Sequence, residues 1–560
     1  MQASNRTVHL LAILAYAVLI AVLSLDVLRD PAHLSFPSFS RDNYLSFWNL
    51  WSVSDALSHG RNPFFTHLLF HPTGTTLVFT EFTPLYGLLA APLVLAMGPP
   101  YGAVLAHNLL VILSFVATGY ATFLFAAWMS GSRAGGFLAG LLLAFSAYRF
   151  HHLEHLNLLA THWIPLAGWL IGGWLLRGRG LPDGGPPPSR RRLVWIGLLA
   201  FGLTATSFTV AAFTVVFLAL WLGLTAIVRT GAWWPGAWRR TLLAGGAFAL
   251  GALPLGLAWL GGGGGRVAHP GELVRWSPDV LGFVTPQDSA LLGPLVASAA
   301  AGFHRPSGEE VYLGWALIVA AALGLVALKR RGIPLLVAAL CSLAVACGPG
   351  LWLAGTHHAY APNPYGLLIG AVPILEAIRT PNRFVLPAMV ALVPLAAAGV
   401  VWLSARRAGR WAVPVLVVLA LVELVPGPIE AVPVRIPELY FRMGVEPTPG
   451  AVIELPIRDL NDLNKAAYHT LAHRRPLAGG PLLRPSGQAR AFEQRSDLQS
   501  RLRTYGAIPG AVADLREQGY AFIVWHRWDL DAATWGGVLA VYSELAELWH
   551  VDQDVAVFKL

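Results

Sequence analysis

Few side chains in this sequence are suited to chemistry, and they stand in four short groups. Asp42 opens the stretch DNYLSFWNLWSVSDALS. His151, His152, Glu154 and His155 crowd into Tyr148–Asn157. Glu309 and Glu310 precede Tyr312 in EEVYLGW, and Arg379 and Arg383 flank Thr380-Pro381-Asn382. A carboxylate can take the proton of a hydroxyl nucleophile, and a guanidinium grips phosphate through two parallel N–H bonds. On a helix His151 and His155 would share a face at i, i+4, as zinc ligands do. No HExxH and no third ligand accompanies them, so binding of phosphate or acceptor and plain interface packing stay open beside metal. Glu309 and Glu310 fit either an acceptor contact or a solvated loop end. Arg379 and Arg383 fit either a lipid-phosphate site or a pair of snorkelling anchors. No GxxxxGK[ST] or GxSxG occurs, and Gly261–Gly265 lacks the strand–helix setting of a nucleotide loop.

The elements that must position these groups are mostly apolar. The chain has 560 residues, of which 55% are hydrophobic and 12% charged, against about 25% charged in soluble domains. That composition excludes an ordinary soluble enzyme and a disordered chain and points to a polytopic α-helical membrane protein. Residues 427–560 hold 14 basic and 16 acidic groups, while residues 1–426 hold 25 and 14. A membrane body of net +11 is thus followed by a tail of −2. The basic excess reads as topology signal rather than nucleic-acid binding. Cys341 and Cys347 form no disulfide framework.

Apolar runs near the ~20 residues a bilayer requires fall at about 8–25, 83–97, 101–127, 134–148, 157–176, 193–208, 209–228, 241–261, 311–328, 332–348, 381–403 and 411–426. Basic clusters at Arg177–Arg192, Arg229–Arg240, Lys329–Arg331 and Arg406–Arg410 mark every second connector as cytoplasmic. With Arg6 inside, one of the runs 83–97 or 134–148 fails to cross. This leaves 11 crossings, the N-terminus inside and the tail outside. Twelve crossings with the N-terminus outside is the alternative. Loops 26–80, 262–310 and 349–380 face outward in the first scheme. The tail reads as an α/β domain, with strands at Ala451–Ile457, Ala521–Trp525 and Val555–Leu560 and a helix over Ala511–Gln518. In the first loop, Ser40 could cap a helix from Asp42. Its Tyr44, Phe47, Trp48 and Trp51 predict a helix lying along the membrane interface. Asp55 reads as a solvated face.

A first span, an outward loop with an acid near its start, that aromatic helix and the string GRNPF…HPTG together resemble the GT-C superfamily of integral membrane glycosyltransferases. Within it, the chain is most similar to the bacterial branch related to YfhO-type membrane proteins. FSAYRFHHLEHLNLLATHWIPL (145–166), SPDVLGFVTPQ (277–287), EEVYLGW (309–315), IRTPNRF (378–384), ELPIRD (454–459) and HRRPLAGG (473–480) extend the resemblance along most of the chain. The resemblance implies an inverting transfer of a hexose or pentose from a polyprenyl-phosphate donor to a glycan, lipid or protein acceptor. The site would be the outer face of a bacterial cytoplasmic membrane. Asp42 matches the acid that acts as general base or helps hold a divalent metal such as Mg or Mn. Glu154 could replace the acid that some members carry in the second loop, where histidines dominate here. Two other readings stay open: a non-catalytic lipid or polysaccharide carrier or envelope assembly factor built on the same scaffold, and a secondary transporter. The transporter is disfavoured by the lack of repeats and of buried charges other than Glu423.

Overall fold

Long runs of Leu, Ala, Val and Phe without interior charge can satisfy their backbone only within themselves once water is absent, and these runs fold as helices. The computed structural model describes residues 5–38, 41–78, 80–176, 190–228, 237–261, 270–287, 289–305, 311–359, 364–372, 378–406, 409–481, 497–498, 500–528 and 530–560. Its principal helices in the first 426 residues are α1 (Asn5–Leu23), α2 (Asp42–Ser58), α3 (Pro84–Met97), α4 (Tyr101–Ser130), α5 (Arg133–Ala144), α6 (Leu156–Leu175), α7 (Arg190–Thr204), α8 (Phe208–Val228), α9 (Ala237–Gly261), α10 (Trp315–Leu328), α11 (Ile333–Ala346), α12 (Pro381–Ser404) and α13 (Gly409–Leu424). Among the described residues, α1, α4, α6, α8, α9 and α12 are long and apolar enough to cross a membrane. Both runs singled out as possible non-crossers are short: α3 has 14 residues and α5 has 12. At about 1.5 Å per residue both fall short of a ~30 Å hydrocarbon core, as do α10 and α11 with 14 residues each, so length does not tell which of the two runs fails to cross.

The chain divides into two compact units. One comprises Met1–Asp30, Asn108–Leu257 and Val267–Val432, and the other Pro31–His107, Ala258–Arg266 and Pro433–Leu560.

The axis of the first unit is α12, which is almost wholly buried and packs against α5, α8, α10 and α11. The α10–α12 crossing is close because glycines meet there. A Cβ on Gly324 would strike the Leu395 carbonyl, and one on Gly399 the Ala320 carbonyl. This is the small-residue contact that helices use where lipid offers no hydrophobic drive to associate.

In the second unit a four-stranded mixed sheet is built from β1 (Ala451–Leu455), β2 (Tyr520–His526), β3 (Glu547–Val551) and β4 (Val555–Lys559), in the order β1-β2-β4-β3. Strands β1 and β2 run parallel, and the β2–β4 and β4–β3 pairs antiparallel. Strand alternation sends Ile453, Leu455, Ile523, Trp525 and Phe558 into a core with Leu515 of α15 (Ile508–Glu517) and Tyr542 of α16 (Ala532–Leu545). The opposite face carries Glu454 and His526, which meet a helix of residues Leu460–His473. That helix, α14, is buried on both sides because its other side packs on α2.

The aromatic helix therefore differs from its expected place. Helix α2 does not present its rings to an interface. Phe47, Trp48 and Trp51 are buried within the second unit, between α3 and α14. Protein partners replace the lipid boundary: Trp48 Nε1 donates to Thr470 Oγ1 at 2.9 Å, Tyr44 and Tyr468 approach to 4.9 Å, and the Arg474 guanidinium lies 4.5 Å over Trp51. Asp55 is likewise no solvated carboxylate, since it pairs with Arg61 at 2.5 Å and Arg474 at 3.2 Å.

Candidate functional site

Asp42 is the first residue of α2, as expected. The preceding Arg41 takes a left-handed conformation (φ 57°) that turns the chain into the helix. Ser40, the expected cap, lies outside the described residues. The Asp42 carboxylate accepts a 2.6 Å hydrogen bond from Asn464 Nδ2 of α14. A second carboxylate approaches it from the end of the same loop: Glu81, three residues before α3, has an oxygen within 4.8 Å of one of Asp42. Asn49, two turns along α2, donates to the Glu81 carbonyl at 3.2 Å. Two carboxylates this close repel unless a proton or cation lies between them. The two carboxylates are hard oxygen donors of the kind that Mg and Mn take, so they fit the expected divalent ion. Neither Glu81 nor Asn464 was singled out from the sequence. Glu81 had one signal, being the only acidic residue between Asp55 and Glu154. Asn464 had none.

In the first unit, the segment with the second-loop candidates is not one helix. A helical turn ends at Phe150, residues 151–154 are turns, and His155 begins the next helical turn. His151 and His155 therefore do not share a helix face at i, i+4. Arg149 anchors the segment from inside. Its Nε donates to Ala144 O at 3.0 Å, Nη1 to Leu159 O at 2.8 Å and Nη2 to Ser114 Oγ at 2.8 Å, and its guanidinium covers Phe115. His152 is buried, stacks on Tyr148 and uses Nδ1 on the Tyr148 carbonyl at 2.6 Å. Burial, with the nearby charge of Arg383 second, holds its pKa well below the usual imidazole value. His152 is thus neutral, and Arg383 is brought near the histidine segment. Glu154 is buried with His155 Nδ1 at 3.9 Å.

Arg379 is ion-paired with Glu272 at 3.1 Å. Between the two arginines Thr380 and Asn382 are buried, and neither amide atom of the Asn382 side chain has a partner. Tyr312 belongs to a cap. Its hydroxyl donates to Glu423 Oε2 at 3.0 Å, and the same carboxylate accepts from the backbone N–H of Trp315 (2.9 Å) and Ala316 (2.8 Å) at the start of α10. Glu309 and Glu310 lie outside the described residues.

The fold is similar to that of an archaeal oligosaccharyltransferase. The Archaeoglobus fulgidus oligosaccharyltransferase in its apo form superposes with a TM-score of 0.51 and 13% identity over 92% of this chain and 69% of its own. Archaeal oligosaccharyltransferase AglB from the same organism, in complex with an inhibitory peptide and a dolichol-phosphate, gives 0.50 and 11% over 99% and 76%. ArnT from Cupriavidus metallidurans, in the apo state, covers 99% of this chain and 98% of its own at 14% identity and a TM-score of 0.42, too loose to argue from. The chain itself belongs to the family described as "Domain of unknown function (DUF6311)", which matches residues 9–425. No curated protein matches it.

Proposed function

We propose that this chain is a GT-C-type glycosyltransferase of a bacterial cytoplasmic membrane, of the YfhO-related branch, moving a sugar from a polyprenyl-phosphate donor to a cell-envelope acceptor on the outer face. The observation that carries the reading is the Asp42–Glu81 carboxylate pair at the entry of a buried first-loop helix. The similar fold, and the dolichol-phosphate and inhibitory peptide bound by AglB, supply a precedent for a lipid phosphate and a peptide on such a scaffold.

In this reading Asp42 takes the proton of an acceptor hydroxyl as its oxygen attacks the anomeric carbon. The bond from that carbon to the phosphate oxygen breaks, polyprenyl phosphate leaves, and the configuration inverts. Arg383 holds the lipid phosphate. Arg379, already paired with Glu272, has the lesser part. Glu154 with His151, His152 and His155 contacts the acceptor or sugar hydroxyls, and a neutral His152 can do so without desolvating a charge. Glu309 and Glu310 keep their place as acceptor contacts, whereas Tyr312 is spent on the Glu423 cap. A divalent ion on Asp42 and Glu81 would neutralise charge developing on the leaving phosphate.

The test is transfer itself. The full chain in proteoliposomes is offered radiolabelled polyprenyl-phosphate hexoses and pentoses together with a bacterial membrane extract. Label moving into extract components is the expected result. No transfer from any donor would contradict the reading. Glu81→Gln, which would remove one ligand of that ion, is expected to lower a positive signal by about 10²-fold, the lower range for loss of one group that stabilises developing charge.

A further inference from the structure

The C-terminal domain holds a residue that acts on the first-loop carboxylate. We infer that Asn464 is a positioning residue for Asp42, so that the C-terminal domain completes the reaction site. The inference rests on the reading of Asp42 as general base.

Three observations converge on it. Asn464 is fully buried in the interior of α14, and its Nδ2 points to Asp42 Oδ1 at 2.6 Å. Its Oδ1 is also buried and has no partner. Asparagine is a poor residue for a helix interior, and a half-satisfied buried amide is costly. A leucine would fill the same space without either penalty, so packing alone does not account for the choice. The amide does what leucine cannot: it donates to a carboxylate. Finally, the whole approach is braced. Arg41, next to Asp42, reaches Asp462 of α14 at 3.9 Å, and Asp462 is fixed by Arg458 at 3.1 Å. Further along, Thr470 receives Trp48 Nε1 and Tyr468 packs on Tyr44. Asp42 and Asn464 are therefore held in register by contacts on both sides of the bond.

The physical consequence is one of aim: a carboxylate tethered at one oxygen keeps its direction, and a misplacement of about 1 Å can cost 10²-fold in rate.

The transfer assay on the full-length protein tests this. Asn464→Ala should lower kcat by roughly 10–100-fold at little changed KM for the donor, and Asn464→Ser, which keeps a hydroxyl donor, should recover part of it. Trp48→Phe, which loosens α14 without touching Asp42, should lower thermal stability while leaving kcat little changed. Unaltered kcat for Asn464→Ala, with Asp42→Asn inactive, would overturn the inference while sparing the proposed function. Absence of transfer by the wild type would instead overturn the proposed function, on which the inference rests.

Discussion

At the scale of single residues, isolated acids in this protein stand in two settings that the sequence cannot tell apart. Glu423 reads from the sequence as a lone charge in an apolar run. In the fold it closes the open N-terminus of α10, accepting two backbone N–H groups and the Tyr312 hydroxyl. Those donors have no helical partner of their own, so Glu423→Leu strands them. The expected result is a loss of about 1–3 kcal/mol, read as a lower thermal midpoint in detergent, with Glu423→Gln milder. Asp42 instead opens a helix and is the proposed base. It was legible because an isolated acid begins an aromatic helix, and a helix start can be read locally. Its partner Asn464 was not legible. The two are 422 residues apart, and an asparagine in DLNKAAYHT carries no local mark of the carboxylate it meets. Glu81 lies between: its isolation among apolar residues was visible, its approach to Asp42 was not.

At the scale of elements, apolar helices announced themselves and polar buried ones did not. The runs expected at 209–228 and 381–403 appear as α8 and α12 within a residue or so at each end, because an uninterrupted apolar stretch needs no partner to be recognised. Strands β1, β2 and β4 were legible for the same reason. Helix α14 escaped because its buried positions include Asp462, Asn464, His469, Thr470 and His473, which hide the 3.6-residue pattern. The edge strand β3 escaped because it is largely exposed. The aromatic spacing of α2 was read correctly as helical, but its rings pack into protein, since rings that suit a headgroup layer suit a protein interior equally well.

The buried polarity of α14 has a pH consequence. Glu454 accepts from His469 Nδ1 at 3.1 Å and His526 Nε2 at 2.7 Å. Burial alone would raise its pKa, but the two imidazoles hold it well below the carboxylate value of 4.5. Burial drives His473 from 6.5 down to about 3, and lowers His469. Each shift is a depression on folding. The unfolded chain therefore binds more protons below pH 6.5, and stability is complete above that pH and lost as it falls toward 3. Glu454 extends the loss below 4.5. Thermal midpoints of the full chain should decline from pH 7 to 5. His473→Asn, whose side-chain oxygen can still accept the Arg475 N–H now bonded to Nδ1 at 3.1 Å, should flatten that decline. An unchanged slope would refute the assignment. The α10–α12 crossing gives a second element-scale test. Gly324→Val must push two helices apart, and the expected outcome is a protein that expresses but loses its cooperative melt.

At the scale of the whole molecule, the chain belongs to a family of unknown function over residues 9–425, and its fold is similar to that of an archaeal oligosaccharyltransferase. The proposed arrangement of 11 crossings, N-terminus inside and C-terminal domain outside, follows from the basic connectors. It is checked by replacing Cys341 and Cys347 and adding single cysteines at Asp554 and at Arg330. An impermeant maleimide on intact cells should label the first and spare the second, and the opposite pattern would invert the topology.

The central claim is chemical, and it turns on one carboxylate. The most direct measurement is the initial rate of sugar transfer in proteoliposomes by wild type and by Asp42→Asn, matched for amount and thermal midpoint. An amide keeps the size and the Asn464 contact region but cannot take a proton, so the expected result is a fall of about 10²–10⁴-fold. Equal rates from the two proteins would contradict the role of Asp42 and the site built around it.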